Sequence, residues 1–118
     1  GTGIIIGETT WALARAEVVA RWIDTIVVVG LSEPVRIYEL VGLPGEVPEE
    51  VLQRIVAYEQ ALTLYTRREW APALAQLEAI LARRDDLAAR VLHARILDLQ
   101  EHPPAADWQG EYVRTTKK

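Results

Sequence analysis

Few residues in this 118-residue chain are of the types that carry out chemistry. The sequence has no cysteine, so it can form neither a disulfide bond nor a thiolate metal site. Its two histidines, His93 and His102, lack the HxxxH and HExxH contexts of metal-binding helices. Ser32 has no partner base beside it that could activate it as a nucleophile. We therefore expect no catalytic residue, no metal ligand and no nucleotide-binding residue in this chain.

Pairs of like-charged residues are the remaining candidates for a binding site. Asp85 and Asp86 could bind Mg²⁺, but a role as the N-terminal cap of the following helix explains them better. The Arg67-Arg68 and Arg83-Arg84 pairs could bind phosphate groups. Placement at helix ends and on the surface explains both pairs more simply, since cations are favourable near a helix C-terminus.

The composition argues against several classes of protein. Hydrophobic residues make up 50% of the chain and charged residues 25%, as in ordinary globular proteins. The net charge of −4 and the isoelectric point of about 5.2 argue against nucleic acid as a partner. No apolar run approaches the roughly 18–20 residues that span a bilayer, so we expect no direct membrane contact from this segment. The lack of cysteine is compatible with the cytoplasm, which is the predicted location.

The first 41 residues have the pattern of a small antiparallel sheet with one short helix. Glu8 begins the helix, where an acidic residue is favourable at the positive end of the dipole. Trp22 is expected to anchor a face of the sheet rather than to stack on a ligand. The predicted elements are a strand at 3–6, a helix at 8–14, a strand at 17–23, a tight connection at 24–25 and a β-hairpin at 25–40.

The hairpin has the clearest local signals. Four β-branched residues at 26–29 are typical of a strand that is covered on both faces. Gly30 begins a predicted turn at 30–33, and Pro34, which has no N–H, suits the first position of the next strand. Alternation along that strand places Val35, Ile37 and Glu39 on one face and Arg36, Tyr38 and Leu40 on the other.

Residues 48–101 have helical periodicity and follow a linker at 42–47 that contains glycine and proline. Pro48 begins a first helix, Pro72 lies near position N1 of a second, and Asp85 or Asp86 caps a third. The first two helices should form an antiparallel pair that loosely resembles one tetratricopeptide repeat, which the third helix or the sheet must cap. The apolar stripes are Val51, Ile55, Tyr58, Leu62 and Tyr65, then Trp70, Ala73, Leu74, Leu77, Ile80 and Leu81, then Leu92, Ile96 and Leu99.

Residues 102–118 form a tail in which Pro103 and Pro104 end the helical pattern. Trp108 is a large apolar residue in this polar tail, and we expect it to fold back onto the helices. Tyr65, Trp70 and Trp108 could instead form an interaction surface for a peptide or a partner protein. For Tyr65 and Trp70 a place in the core is the preferred interpretation, because both lie on or beside the apolar stripes.

A family resemblance appears in the hairpin. The run SEPVRIYEL at 32–40, preceded by VVVG at 27–30, resembles the end of a class III adenylate/guanylate cyclase domain, where a Lys-Gly-Lys-like turn leads into a Glu-Pro-Val-x-x-Tyr-Glu strand. The IIIGETT segment at 4–10 resembles the strand and the helix start that precede this hairpin. Residues 53–110 resemble, less specifically, the helical segment and the Pro-Pro, Trp-Gly tail of some bacterial membrane-anchored cyclases.

The resemblance implies that the chain is the C-terminal part of a ferredoxin-like catalytic domain, cut from a larger protein. The parent would convert ATP, or as second choice GTP, into a cyclic nucleotide for signal transduction, with Mg²⁺ or Mn²⁺ as cofactor. The family's metal-binding aspartates, purine-reading pair and Asn-x-x-x-Arg motif lie upstream of the matched segment, so the fragment alone should be inactive and bind no cofactor. Beside the hairpin glycine, where the family often has lysines, this chain has Val29 and Leu31.

We therefore predict an α+β fold, in which a small antiparallel sheet with a β-hairpin, the end of a ferredoxin-like domain, precedes a three-helix, tetratricopeptide-like segment. The predicted divisions are 1–41, 42–47, 48–101 and 102–118. The main hypothesis is a structural or regulatory C-terminal fragment of a cyclase; the alternative is a tetratricopeptide-like interaction module without enzymatic role. An exposed sheet edge predicts self-association as a dimer, or association with the rest of the cyclase domain.

Overall fold

The computed structural model describes residues 4–27 and 33–112, and in this part of the chain the fold is α+β. Three antiparallel strands form a small sheet in the order β1-β3-β2, accompanied by four helices. The predicted class and the predicted small antiparallel sheet are confirmed. The elements are β1 Ile5–Gly7, α1 Glu8–Ala14, β2 Val19–Val27, β3 Pro34–Gly42, α2 Glu49–Thr66, α3 Trp70–Arg83 and α4 Leu87–Glu101.

Tyr38 lies at the centre of the sheet, where β3 pairs with both other strands. It is opposite Ile6 of β1 and Trp22 of β2. Its ring stacks on Trp11 of α1, with the ring centroids 4.4 Å apart and the planes 3° from parallel. On the same face, the Arg36 guanidinium lies 3.9 Å from the centre of the Trp22 ring. Helix α1 therefore covers part of one sheet face through an aromatic contact, and Trp22 is the buried anchor that its position predicts.

Strand β2 is longer than the sequence pattern predicts, which corrects the predicted tight connection at 24–25. The strand runs on through Asp24 and Thr25, with a bulge between Trp22 and Asp24 where β2 has one more residue than β3. Two hydrogen bonds support the bulge, because the Trp22 indole N–H donates to the Asp24 carbonyl over 2.9 Å and the Tyr58 hydroxyl donates to the Ile23 carbonyl over 2.8 Å. Most of the predicted turn at 30–33 lies outside the described residues.

Helices α2 and α3 form a packed pair joined by a short turn at 67–69. Ala61 and Ala73 are both completely buried, and small residues at these positions let the two helices approach closely. The Gln76 side chain of α3 donates to the Ala57 carbonyl of α2 over 3.2 Å. Pro72, which the sequence places near position N1, is the third residue of α3. Proline is tolerated there because the N–H groups of the first helical turn have no acceptor within the helix.

The predicted apolar stripes of the helices meet in one core, except for Val51 and Ile55 at the start of the first stripe. Ile55 is buried outside that core and Val51 is only partly buried. Three residues of the second stripe pack against the core while partly exposed: Trp70, Leu74 and Leu81. Asp86 precedes α4 as its N-cap, and its carboxylate accepts a hydrogen bond from the Ala89 N–H over 3.2 Å. The sequence allows either Asp85 or Asp86 as the N-cap of this helix, and in the structure the cap is Asp86. The largest fully buried side chains are Tyr58, Leu62, Tyr65, Leu77, Leu92 and Ile96.

The helices meet the sheet on the side where β2 faces α2 and α4. The Glu59 carboxylate of α2 accepts a hydrogen bond from the Trp22 backbone N–H over 2.9 Å, so α2 occupies part of the outer edge of β2. Helix α4 and its cap reach the sheet through arginine–carboxylate contacts. Within residues 4–27 and 33–112, no helix has the length and the apolar character needed to cross a membrane.

Candidate functional site

Six charged residues meet between the sheet and the helices. Strands β2 and β3 contribute half of them, and α2, α4 and the α4 cap contribute the others. Long charged side chains are almost never buried unless they are paired, so contacts of this kind constrain how the helices lie on the sheet. We call these residues the ion-pair network: Arg21, Asp24, Glu39, Arg54, Asp86 and Arg95.

Arg21 is the centre of the ion-pair network. It donates through Nη2 to Glu39 Oε1 and through Nη1 to Asp86 Oδ2, each over 2.8 Å. Arg54 Nε lies 3.5 Å from the same Asp86 oxygen. The Arg21 and Asp86 side chains are only 12% and 5% exposed, and the Arg21 guanidinium lies 4.8 Å from the centre of the Tyr58 ring. Both β2 and β3 are thereby joined to the N-terminus of α4.

Asp24 and Arg95 form the second connection between β2 and α4. Arg95 Nη1 donates to Asp24 Oδ1 over 2.8 Å, and Nη2 donates to Oδ2 over 3.1 Å. Such a bidentate pair adds geometric specificity as well as energy. The Arg95 guanidinium also lies 5.9 Å from the centre of the Tyr65 ring and 4.6 Å from that of Tyr112. Because Asp24 follows the β2 bulge, the bulge helps to position this carboxylate for α4.

Burial and pairing act on the pKa values of the network in opposite directions. Burial alone would lower the pKa of the Arg21 guanidinium and raise the pKa of the Asp86 carboxyl, because it disfavours the charged forms. The hydrogen bonds outweigh burial, so the pKa of Arg21 is raised and the pKa of Asp86 is lowered. The hydrogen bond to Asp24 likewise raises the pKa of Arg95 against the effect of burial. Arg21, Asp86 and Arg95 therefore keep their charges near neutral pH.

A cleft of about 850 Å³ opens beside the ion-pair network, between the sheet and helices α2 and α4. Ile5 and Ile37 line it on the sheet side, and Leu87 and Val91 of α4 line it on the helix side. Three arginines of the network, at 21, 54 and 95, also line this cleft. Ligand-binding clefts typically combine apolar walls with convergent polar groups, and in this cleft the polar groups are charged side chains. We call it the sheet–helix cleft.

The structure brings together the three residues of the predicted interaction surface. Tyr65 lies 6.1 Å from Trp70 and 5.1 Å from Trp108 between ring centroids, and the two tryptophans are 5.9 Å apart. Tyr65 is 0% exposed and donates to the Gly110 carbonyl over 3.0 Å, so it belongs to the core, which is the preferred interpretation from its stripe. Trp108 folds back onto the helices, as expected, and is partly buried like Trp70. A role for the two tryptophans in binding a partner stays a prediction.

The other residues singled out by type make contacts at or near the surface. His93 Nε2 lies 3.0 Å from Glu78 Oε2. Arg68 donates to the Pro104 and Ala105 carbonyls and so ties the tail to the turn between α2 and α3. In the described part of the chain, no group of three histidine, aspartate or glutamate side chains is arranged to hold a metal ion.

Sequence reasoning does not find the ion-pair network. Its hydrogen-bonded partners are 18, 65 and 71 residues apart, so no local motif contains them. The sequence contains one sign of a buried charge: strand alternation places Arg21 on the same face as the apolar residues Val19 and Ile23. A charged residue at an inward position of a covered strand needs a partner, although the strand pattern alone cannot name that partner.

No protein-family model, no curated protein and no solved structure matches this chain.

Proposed function

We propose that this chain is the C-terminal part of a class III nucleotidyl cyclase and that its own role is structural or regulatory. The support from sequence is the SEPVRIYEL run at 32–40 together with the IIIGETT segment at 4–10. In the fold these segments form neighbouring strands, with Ile5 of β1 opposite Glu39 of β3. Two segments that separately resemble the same family therefore lie side by side, as they should in the end of one catalytic domain.

In this proposal, the sheet and α1 end a ferredoxin-like domain, and α2, α3 and α4 form a tetratricopeptide-like segment attached to it. The antiparallel strands and the α1 connection between β1 and β2 are compatible with the first part. The α2–α3 pair, with small residues Ala61 and Ala73 at its contact, is compatible with the second. Helix α4 then covers the pair, since a single repeat cannot bury both of its faces.

The observation that carries the structural role is the ion-pair network between the two parts. Arg21 and Arg95 join β2 to Asp86 and to α4, with shortest hydrogen bonds of 2.8 Å. Separating buried charge pairs leaves uncompensated charges and is strongly unfavourable. The sheet and the helices should therefore move as one piece, and a partner bound to the helices would alter the position of the sheet.

The chemistry would belong to the parent enzyme. It would convert ATP, or as second choice GTP, into the cyclic nucleotide, with Mg²⁺ or Mn²⁺ helping to activate the ribose 3′-hydroxyl. The family's metal-binding and purine-reading residues lie upstream of the segment that this chain resembles. Val29 and Leu31 stand where the family often has lysines. The chain alone would therefore make no cyclic nucleotide.

The proposal requires that the reading frame containing these 118 residues encodes a longer protein, and the test compares that protein with the chain alone. Both are incubated with ATP or GTP in the presence of Mg²⁺ or Mn²⁺, and cyclic AMP and cyclic GMP are quantified. We expect cyclic AMP from the longer protein and no product from the chain alone. A longer protein without cyclase activity contradicts the assignment, and product from the chain alone contradicts the structural role.

The structural role has a separate test in the same longer protein. Asp86→Asn removes the charge that Arg21 and Arg54 share, whereas Asp85→Asn changes a neighbouring carboxylate whose side chain is 73% exposed. We expect the first substitution to change the cyclase activity or its heat stability and the second to leave both unchanged. Equal behaviour of the two variants would show that the sheet does not depend on the helices.

A further inference from the structure

The sheet–helix cleft has two apolar walls that face each other without closing. Ile5 on the sheet is 50% exposed, and Leu87 and Val91 on α4 are 52% and 47% exposed. Protein interiors normally close such gaps by packing, because apolar surface is unfavourable in water. We propose that this cleft binds a small amphiphile, a molecule with an apolar chain and a single carboxylate head, of the medium-chain fatty acid class.

The ion-pair network explains why the cleft stays open. Arg21 and Arg95 span the distance from β2 to Asp86 and α4 with long side chains whose terminal nitrogens are paired with carboxylates. These contacts separate α4 from the sheet by the length of an arginine side chain, whereas direct contact between apolar side chains would bring the helix and the sheet closer. The space of about 850 Å³ therefore follows from the network and lies within the range of small-molecule sites.

The head group would be recognised by hydrogen-bond donors that the protein leaves unused. Arg54 lines the cleft, and its Nε lies 3.5 Å from Asp86 Oδ2. Its guanidinium donates no hydrogen bond to another side chain or to the backbone within residues 4–27 and 33–112. Arg95 also lines the cleft, and its Nε–H is buried without an acceptor in the same part of the chain. The buried Arg95 Nε–H is costly without an acceptor, so it favours a ligand that supplies one. The Arg54 guanidinium is 23% exposed and can exchange water for the charge-assisted hydrogen bonds of a carboxylate.

The charge balance favours a monoanion over a phosphate or a nucleotide. Four arginines and four carboxylates line the cleft, so it has no net positive charge to hold a dianion or a triphosphate. A carboxylate brings one charge and two acceptor oxygens that suit an arginine. Its apolar chain would cover the exposed isoleucine, leucine and valine side chains of the walls. This inference does not depend on the cyclase proposal.

The probe is decanoate, titrated into the 118-residue chain by isothermal calorimetry below the concentration at which it forms micelles. Decanol, which has the same chain without the charge, is the matched ligand control. We expect saturable binding of decanoate to one site and weaker binding of decanol. Methyl resonances of Ile5 and Ile37 should shift during the decanoate titration, because both residues line the cleft.

Two substitutions on α4 separate the cleft from the rest of the surface. Val91→Trp fills the cleft, whereas Leu97→Trp places the same ring at a position of equal exposure, 47%, away from it. We expect Val91→Trp to weaken decanoate binding about tenfold or more, the loss of about two buried methylene groups. Leu97→Trp should bind as the wild type does. Both positions are exposed, so neither variant should prevent folding.

Arg54→Gln tests the head group. It should weaken decanoate binding about tenfold, as expected for one charge-assisted hydrogen bond, and leave decanol binding unchanged. Absence of saturable binding, equal effects of the two tryptophan variants, or equal losses for decanoate and decanol would each overturn the proposal. A dimer in light scattering that Val91→Trp converts to a monomer would also overturn it, because a second copy would then occupy the cleft.

Discussion

Replacement of Asp86 by asparagine tests whether the ion-pair network holds the helices on the sheet. Asparagine is as good an N-cap as aspartate, so the hydrogen bond from the Ala89 N–H can persist. What the substitution removes is the charge that Arg21 contacts at 2.8 Å and Arg54 at 3.5 Å. The variant therefore isolates the ion pair from the helix cap.

The expected loss of stability follows from the burial of the pair. Removing one partner of a buried pair typically costs about 3–5 kcal/mol, because the other charge is left without compensation. Here Arg21 retains Glu39 at 2.8 Å and the Tyr58 ring, so the loss should lie below that range. We expect about 2–3 kcal/mol, which lowers the melting temperature of a domain of this size by about 10 °C.

The assay is urea unfolding of the isolated chain, followed by circular dichroism and by tryptophan fluorescence. Asp85→Asn is the matched control, because the Asp85 side chain is 73% exposed and its pair with Arg90 should contribute less than about 1 kcal/mol. Asp86→Ala should cost about 1 kcal/mol more than Asp86→Asn, since it also removes the cap. If Asp86→Asn lost no more stability than Asp85→Asn, the network would not hold the helices in place.

Two further predictions concern the tail and the buried tyrosine. Gly110 has φ = +106°, and a Cβ there would lie 3.1 Å from Thr66 Cγ2, so Gly110→Ala should lower the free energy of unfolding in urea by about 1–2 kcal/mol. The control is Gly7→Ala, which should lose less than about 0.5 kcal/mol because a Cβ at Gly7 would have nothing within 4 Å. Similar losses for the two variants would contradict the docked tail. Burial raises the pKa of Tyr65 to about 12, above its ordinary value of about 10, so the unfolded chain loses this proton first and stability should fall as the pH rises from about 10 to about 12. Urea unfolding across that range should show a shallower fall for Tyr65→Phe than for the wild type, and an equal slope would refute the assignment.

Local chemistry made much of the fold predictable. The helices follow from apolar residues at helical spacing, and their stripes become the core around Tyr58 and Leu62 because a helix can bury only one face in a small protein. Pro34 begins β3 as its missing N–H suggests. Asp86 caps α4 because its side chain can reach a first-turn N–H that has no other acceptor.

The β2 bulge could not be predicted in the same way. Asp24 and Thr25 have turn-like composition, and by local preference they should connect two strands. In the folded chain the Trp22 indole and the Tyr58 hydroxyl donate to the backbone around this position, and Arg95 pairs with the Asp24 carboxylate. These tertiary contacts outweigh the local preference and keep the polar residues within one strand.

The sequence by itself determined the three long helices, their apolar stripes and the start of β3, because all of these depend on residues close together in the chain. The tertiary structure alone decided that Arg21 meets Asp86, that Arg95 meets Asp24, and that a cleft stays open beside them. A charged residue on a strand or a helix looks the same in sequence whether water or a distant carboxylate solvates it. Only the packing of the helices on the sheet chooses between the two, because the pairing energy depends on distances across the assembled fold.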